Sequence, residues 1–200
     1  MKRVEGIQPV ILAGGKSRRM GSNKALLPLG EKKIIEGIAG RLGGIFSSIP
    51  LLITNTPEEY EFLDLPMTGD IFPDVGPLGG IHAALQHVSL SYIFVYACDM
   101  PFVEPELVTR MAAAREDFDV VVPYRGALPE PLHAIYSRSC MPFIEASLER
   151  GERRIIEFFP YVKVRHIEEQ EIRQYAPRGL AFINVNTPGE LAEVRKLLPG

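Results

Sequence analysis

The sequence predicts an α/β chain, a three-layer α/β/α sandwich around a mostly parallel sheet. Two observations carry this. Apolar runs of strand length alternate along the chain with segments whose apolar residues recur at helical spacing, the order that builds crossover units. The run Tyr92-Ile93-Phe94-Val95-Tyr96-Ala97 is nearly continuous in apolar character, as expected of a central strand covered on both faces. At 200 residues the chain reads as one domain over 1–200, long enough to bury about 70 % of its unfolded surface. No internal repeat, low-complexity tract or linker interrupts it.

Taken in order, residues 7–13 form the first strand, which breaks at the pair Gly14-Gly15. Ile34, Ile38 and Leu42, spaced i, i+4, i+8, give one face of a helix that ends near Gly43-Gly44. Pro50–Thr54 is a short second strand, followed by Asn55 and a short helix over 57–63. Residues 70–80, DIFPDVGPLGG, are a loop that delivers the chain into a helix with Ile81, Leu85 and Val88 facing the core. After the central strand, Pro105 opens a helix whose inner face is Val108, Met111 and Ala112. Asp119–Pro123 is a buried strand, 124–131 a loop, and Leu132–Tyr136 a returning strand. A helix over about 139–149 stops at Gly151, and a shorter one carries Ile155, Ile156 and Phe159. Val162–Ile167 alternates like an edge strand. The last unit is a strand, Phe182–Asn186, running into a helix. Thr187 with Glu190 forms its capping box and Pro188 takes its first position.

Composition narrows the function. Apolar content of 46 % and charged content of 24 % are those of an ordinary globular protein. No apolar run has membrane length and no cleavable apolar segment opens the chain, so a cytoplasmic protein with no membrane partner is expected. Cys98 and Cys140 are too few for a disulfide framework or a Cys-rich zinc site, and His82, His87 and His166 lack ligand spacing. A net charge of -3 argues against a nucleic-acid partner.

The chemistry concentrates in Val10–Gly30, VILAGGKSRRMGSNKALLPLG. No Asp or Glu occurs between Gly6 and Gly30, yet Lys16, Arg18, Arg19 and Lys24 all lie there, directly after a strand. Glycines let backbone N–H groups approach phosphate oxygens, Arg adds a bidentate fork and Lys a point charge, so the loop suits a polyphosphate. Its place at a strand's carboxyl end is where open α/β sheets bind ligands. A basic surface loop with a glycine turn is the plainer alternative. Neither G-x-x-x-x-G-K-[ST] nor G-x-G-x-x-G fits the glycines at 14, 15 and 21.

The stretch Leu12-Ala13-Gly14-Gly15-Lys16-Ser17-Arg18-Arg19-Met20-Gly21, then Lys24, resembles L-A-G-G-x-S-x-R-M-G-x-x-K, the opening signature of the molybdenum cofactor guanylyltransferases. The resemblance extends to Cys98-Asp99-Met100-Pro101-Phe102, to Glu130–Ala134 and to FINVNTPGEL at 182–191. It implies a Rossmann-like nucleotidyltransferase fold in which the backbone of Leu12, Ala13, Gly14 and Gly15 meets the nucleotide and Arg19 and Lys24 meet its phosphates. It also implies that Asp70, before Gly76-Pro77-Leu78-Gly79-Gly80, touches the nucleotide, although the spacing is one residue shorter than in the family. Asp74 fits that position less well, and either acid could be an ordinary loop residue.

Asp99 has a reading of its own. A carboxylate just past a buried strand can hold Mg2+, which is typically bound by one or two carboxylates plus substrate phosphates. A helix cap or turn former ahead of Pro101 is the alternative. The family pattern supports the metal role, with Mn2+ as the substitute ion. Asn184 and Asn186 are open between loop-holding bonds and ligand contact, and His133 on its strand reads as a structural histidine. The reaction implied by the resemblance joins GMP from GTP to the terminal phosphate of molybdopterin and releases pyrophosphate, with partner proteins that deliver or receive the cofactor. Transfer from CTP or another NTP, or a regulatory nucleotide-binding module without catalysis, are the alternatives. Gly14 sides with guanine, because the cytosine-using relatives carry L-A-A-G there.

Overall fold

The computed structural model describes residues 2–14 and 23–198. In chain order its elements are β1 (Ile7–Leu12), β2 (Pro28–Leu29), β3 (Lys32–Lys33), α1 (Ile34–Ile45), β4 (Leu51–Ile53), β5 (Met67–Thr68), α2 (Pro77–His87) and β6 (Tyr92–Ala97). Then come α3 (Pro105–Ala113), β7 (Val120–Arg125), β8 (Leu128–Pro129), β9 (His133–Ser137), α4 (Met141–Glu149), β10 (Val164–Ile167), α5 (Glu169–Tyr175) and α6 (Pro188–Lys196). Among the described residues the main sheet runs β10-β7-β9-β6-β1-β4-β5, with β8 paired to the end of β7. Its pairs are parallel except those made by β9 and β8. None of the described helices is long and apolar enough to cross a membrane.

Strand alternation sorts the core into two layers of side chains. Ile7 and Ile11 of β1, Phe94 and Tyr96 of β6, and Ile135 of β9 face one cluster, which α1, α3 and α6 cover with Ile35, Ile38, Leu42, Val108, Met111 and Leu191. Val10, Leu12, Ile93, Val95, Ala134 and Tyr136 face the other, which α2 and α4 cover with Ile81, Leu85 and Ile144. That is the expected three-layer sandwich. The apolar helix positions singled out from the sequence are buried, except Ile156, which is half-buried.

Four local expectations change. The helix over 57–63 is two 3-10 turns, Pro57–Glu59 and Glu61–Leu63, because Tyr60 leaves helical geometry to bury its ring. The loop 124–131 is instead a hairpin. β7 runs on to Arg125, the chain turns at Gly126 with φ 60, and Leu128-Pro129 pairs back. Beyond Glu168 the chain forms α5, an element that the apolar spacing does not signal. Finally, Phe182–Asn186 forms no strand. Phe182 and Val185 are apolar because they pack into the first core cluster, and the one sheet-like bond, Val185 N–H to the Asp99 carbonyl at 2.8 Å, is to a turn. The Thr187–Glu190 capping box and Pro188 at the start of α6 are as expected.

His133 is a core residue whose burial carries a cost. It is fully buried among Phe94, Tyr96 and Phe182, with ring centroids 5.0–5.5 Å away, and neither ring nitrogen has a hydrogen-bond partner among the described residues. Burial pushes its pKa down to about 3, with the Ala181 backbone opposing from outside bonding geometry. A depressed folded-state pKa stabilises the fold fully above the unfolded value of 6.5, and that stability is lost as pH falls toward 3. The expected loss attributable to His133 is about 1.4 kcal/mol per pH unit within that window. Denaturant unfolding from pH 7 to 4 should therefore show a shallower pH slope for His133→Phe than for wild type. Equal slopes would mean that His133 takes up its proton in the folded state at its ordinary pKa.

Candidate active site

β1 and β6 lie side by side and parallel, in a register that sets Leu12 beside Ala97. The last bond between them is the Cys98 N–H to the Leu12 carbonyl at 3.2 Å. Beyond it the two chains part. One enters the glycine-rich loop and the other turns through Cys98-Asp99. On the far side of β1, β4 ends level with Leu12, which delivers Asn55 to the same edge.

A cavity of about 470 Å³ opens at this edge, lined by Leu12, Gly14, Asn55, Asp70, Gly80 and Asp99 among others. Leu12, Gly14, Asp70 and Asp99 are candidates from the sequence. Asp74 lines the cavity as well. Gly80, in the first turn of α2, lets the helix close the wall. A Cβ there would sit 3.1 Å from Leu12 Cδ2 and 3.6 Å from Asp70 Oδ1. Gly76, with φ 72 and ψ -157, takes the chain out of the loop into α2 through a conformation only glycine adopts readily.

Asp70 is held, not loose. Asn55 Nδ2 donates to its carboxylate at 2.9 Å, and the Asp70 N–H donates back to Asn55 Oδ1 at 2.9 Å. This reciprocal pair fixes which way the carboxylate is presented. Of the loop backbone, Ala13 is already engaged, its N–H on the Ile53 carbonyl and its carbonyl receiving the Tyr60 hydroxyl at 3.5 Å. Its side chain packs into the core cluster away from the cavity. Gly14 follows at the cavity wall, and no described atom beyond its chain neighbours lies within 4 Å of where a Cβ would be. Gly15, Lys16, Arg18 and Arg19 fall outside the described residues.

The Lys24 charge acts on Asp99. Partial burial raises the Asp99 carboxyl above its usual pKa, and the Lys24 ammonium pulls it back down. The neighbouring Cys98 thiol is pushed up to about 12 by burial and by the Asp99 charge, so it stays protonated and is no nucleophile. Lys24 opens a short 3-10 turn, Lys24–Leu26, capped by the Asn23 side chain on the Ala25 N–H. Asn23 Nδ2 is anchored on Glu59 Oε2 at 2.6 Å and on the Tyr60 hydroxyl at 2.7 Å. The Lys24 ammonium in turn donates to Asn186 Oδ1 at 2.8 Å.

Asn23 and Tyr60 are the residues that reading the sequence passes over, whereas Asn55, placed at a strand's end and open as to ligand contact, lines the cavity and holds Asp70. Asn23 just before Lys24 does carry a signal, an N-cap residue type at a loop's end. Tyr60 carries none, because its contacts cross from another segment. Asn186, which the sequence leaves open between loop-holding bonds and ligand contact, accepts from the Lys24 side chain.

Comparisons with known proteins bear on this edge. The model of the MobA-like NTP transferase domain matches residues 9–169. A protein of Pelotomaculum thermopropionicum named "Probable molybdenum cofactor guanylyltransferase" is 43 % identical over 93 % of this chain and 90 % of its own length. One of Carboxydothermus hydrogenoformans with the same name is 42 % identical, over 97 % of this chain and 98 % of its own. Among solved structures, the molybdopterin-guanine dinucleotide biosynthesis protein A of Archaeoglobus fulgidus is 28 % identical and superposes with a TM-score of 0.82, covering 95 % of this chain and 97 % of that one. The 2-C-methyl-D-erythritol 4-phosphate cytidylyltransferase of Thermus thermophilus, 14 % identical with a TM-score of 0.69 over 94 % and 96 % of the two chains, shares the fold.

Proposed function

The chain belongs to the MobA-like NTP transferase family, and from that premise we propose that it transfers GMP from GTP to the terminal phosphate of molybdopterin carrying molybdenum, releasing pyrophosphate. The observation that best supports this is that Gly14, Asp70 and Asp99 line one cavity, with the Lys24 charge near enough to lower the Asp99 pKa. A cation and a carboxylate at one sheet edge beside a glycine suit a triphosphate better than a neutral ligand. Leu12, Ala13, Gly14 and Gly15 carry the loop past the nucleotide, and Asp70, braced by Asn55, contacts it. An oxygen of the acceptor phosphate forms the new bond to the α-phosphorus of GTP, and the bond from that phosphorus to the pyrophosphate oxygen breaks. Lys24 and Arg19 stabilise the charge that builds on the departing pyrophosphate.

Mg2+, or Mn2+ in its place, fits Asp99. Burial disfavours the bare carboxylate, which a cation would relieve, and among the described residues no group of three His, Cys, Asp or Glu forms a cage of its own. A single carboxylate that leaves the remaining positions to water and phosphates is the environment this ion prefers. When bound, the ion supplies charge neutralisation on the phosphates. The same reading places the enzyme in the cytoplasm, as a single nucleotidyltransferase domain that meets proteins delivering or receiving the cofactor.

Pyrophosphate release measured with each of the four NTPs, Mg2+ and molybdopterin tests the proposal, with GTP expected to dominate. Asp99→Asn should keep the melting temperature and lower turnover by about 100-fold or more, the scale of removing a main electrostatic stabiliser. Near-normal Mg2+-dependent release from Asp99→Asn would remove it from the metal site.

Position 14 reports on base choice. No described protein atom beyond its chain neighbours lies within 4 Å of a Cβ there, so Gly14→Ala meets no steric clash with the described residues. A methyl crowds a purine edge more than a pyrimidine, and one methyl is worth about 1–3 kcal/mol. kcat/KM for GTP should therefore fall more than that for CTP. An equal fall for both would show that position 14 shapes the loop and that guanine is read elsewhere.

A further inference from the structure

We infer that Asn186 is a positioning residue, a neutral acceptor on a braced segment that fixes the Lys24 ammonium without consuming its charge. This rests on the reading of Lys24 as the phosphate lysine. The bond from Lys24 Nζ to Asn186 Oδ1 is 2.8 Å long and joins residues at opposite ends of the chain. A lysine side chain is a flexible stem with a strongly hydrated head, so an ordered ammonium needs an acceptor to hold it. A carboxylate in that role would cancel the charge that a triphosphate needs. An amide oxygen holds the head group and leaves the charge intact.

The seat under Asn186 is firm. Its own N–H donates to Glu190 Oε2 at 2.6 Å, and the Thr187 N–H donates to the same oxygen at 3.0 Å. The Glu190 N–H donates back to Thr187 Oγ1 at 3.2 Å, closing the start of α6. One residue earlier, the Val185 N–H donates to the Asp99 carbonyl at 2.8 Å, while the Val185 and Phe182 side chains are buried in the core. The segment 182–187 therefore touches both functional residues, Asp99 through its backbone and Lys24 through a side chain. It ties the cation to the turn that carries Asp99. The backbone of Lys24 is fixed separately, through Asn23 on Glu59 and Tyr60. Asn186 governs only where the head group rests.

A double-mutant cycle on GTP affinity, measured calorimetrically with Mg2+ and without molybdopterin, tests this. Asn186→Ala should weaken GTP binding about ten-fold in the wild-type background, and by no more than about two-fold once Lys24→Ala is present, since coupled residues lose an interaction only once. Asn186→Asp keeps the size and the acceptor. It should match the wild-type melting temperature yet weaken GTP at least as much as Asn186→Ala, because its charge competes with phosphate. Multiplicative losses in the cycle, or normal GTP affinity in Asn186→Asp, would overturn the inference and leave Asn186 a structural residue of the segment. If wild-type protein binds no GTP at all, the proposed function fails and carries this inference with it.

Discussion

The site follows from the parallel pairing of β1 with β6, in the register that sets Leu12 against Ala97. Parallel strands present their carboxyl ends at one edge, so the glycine-rich loop and the Asp99 turn must emerge as neighbours. The pairing of Leu12 with Ile53 extends the same logic to Asn55 and, through Asn55, to Asp70. Because side chains alternate along a strand, a slip of one residue would turn Leu12 from the cavity wall into the opposite core layer. The buried residues of β1 and β6 on both faces make such a slip costly, and the site inherits its precision from them.

Electrostatics at that edge are arranged around one partly buried carboxylate. Burial raises the Asp99 pKa, and the Lys24 charge restores part of its acidity. Neutral groups do the holding: amides at Asn23, Asn55 and Asn186, and the Tyr60 hydroxyl, whose own pKa is driven up to about 12 by burial. An acceptor that carries no charge orders its donor without discharging it. The C-terminal segment before α6 thereby completes a site whose other polar groups come from the first half of the chain.

The sheet and its helices are legible because burial writes a periodic pattern into the sequence. Tyr92–Ala97 and the i, i+4 spacing of Ile34, Ile38 and Leu42 identify central strand and covering helix directly. Glycines and charges mark the loop and Asp99 for the same reason: each residue type narrows the chemistry it can serve. Relations across the chain are what a local pattern hides. Apolar character at Phe182 and Val185 reports burial but cannot tell a strand from a packed loop, and the segment joins no strand of the described sheet. Tyr60 looks like any helix residue until its hydroxyl is seen on Asn23. The Lys24–Asn186 bond spans the fold, and no local pattern could announce it.

Gathering of the triphosphate and its metal between Lys24 and Asp99 is open to a direct test. A crystal structure with Mn2+ and a GTP analogue that resists transfer provides it, because the anomalous signal of manganese locates the ion independently of the nucleotide. An anomalous peak is expected at coordinating distance, about 2.1–2.2 Å, from an Asp99 carboxylate oxygen, with phosphate oxygens of the analogue completing the shell and the Lys24 ammonium on the same phosphates. Manganese bound away from Asp99, or a triphosphate lying clear of Lys24, would contradict it.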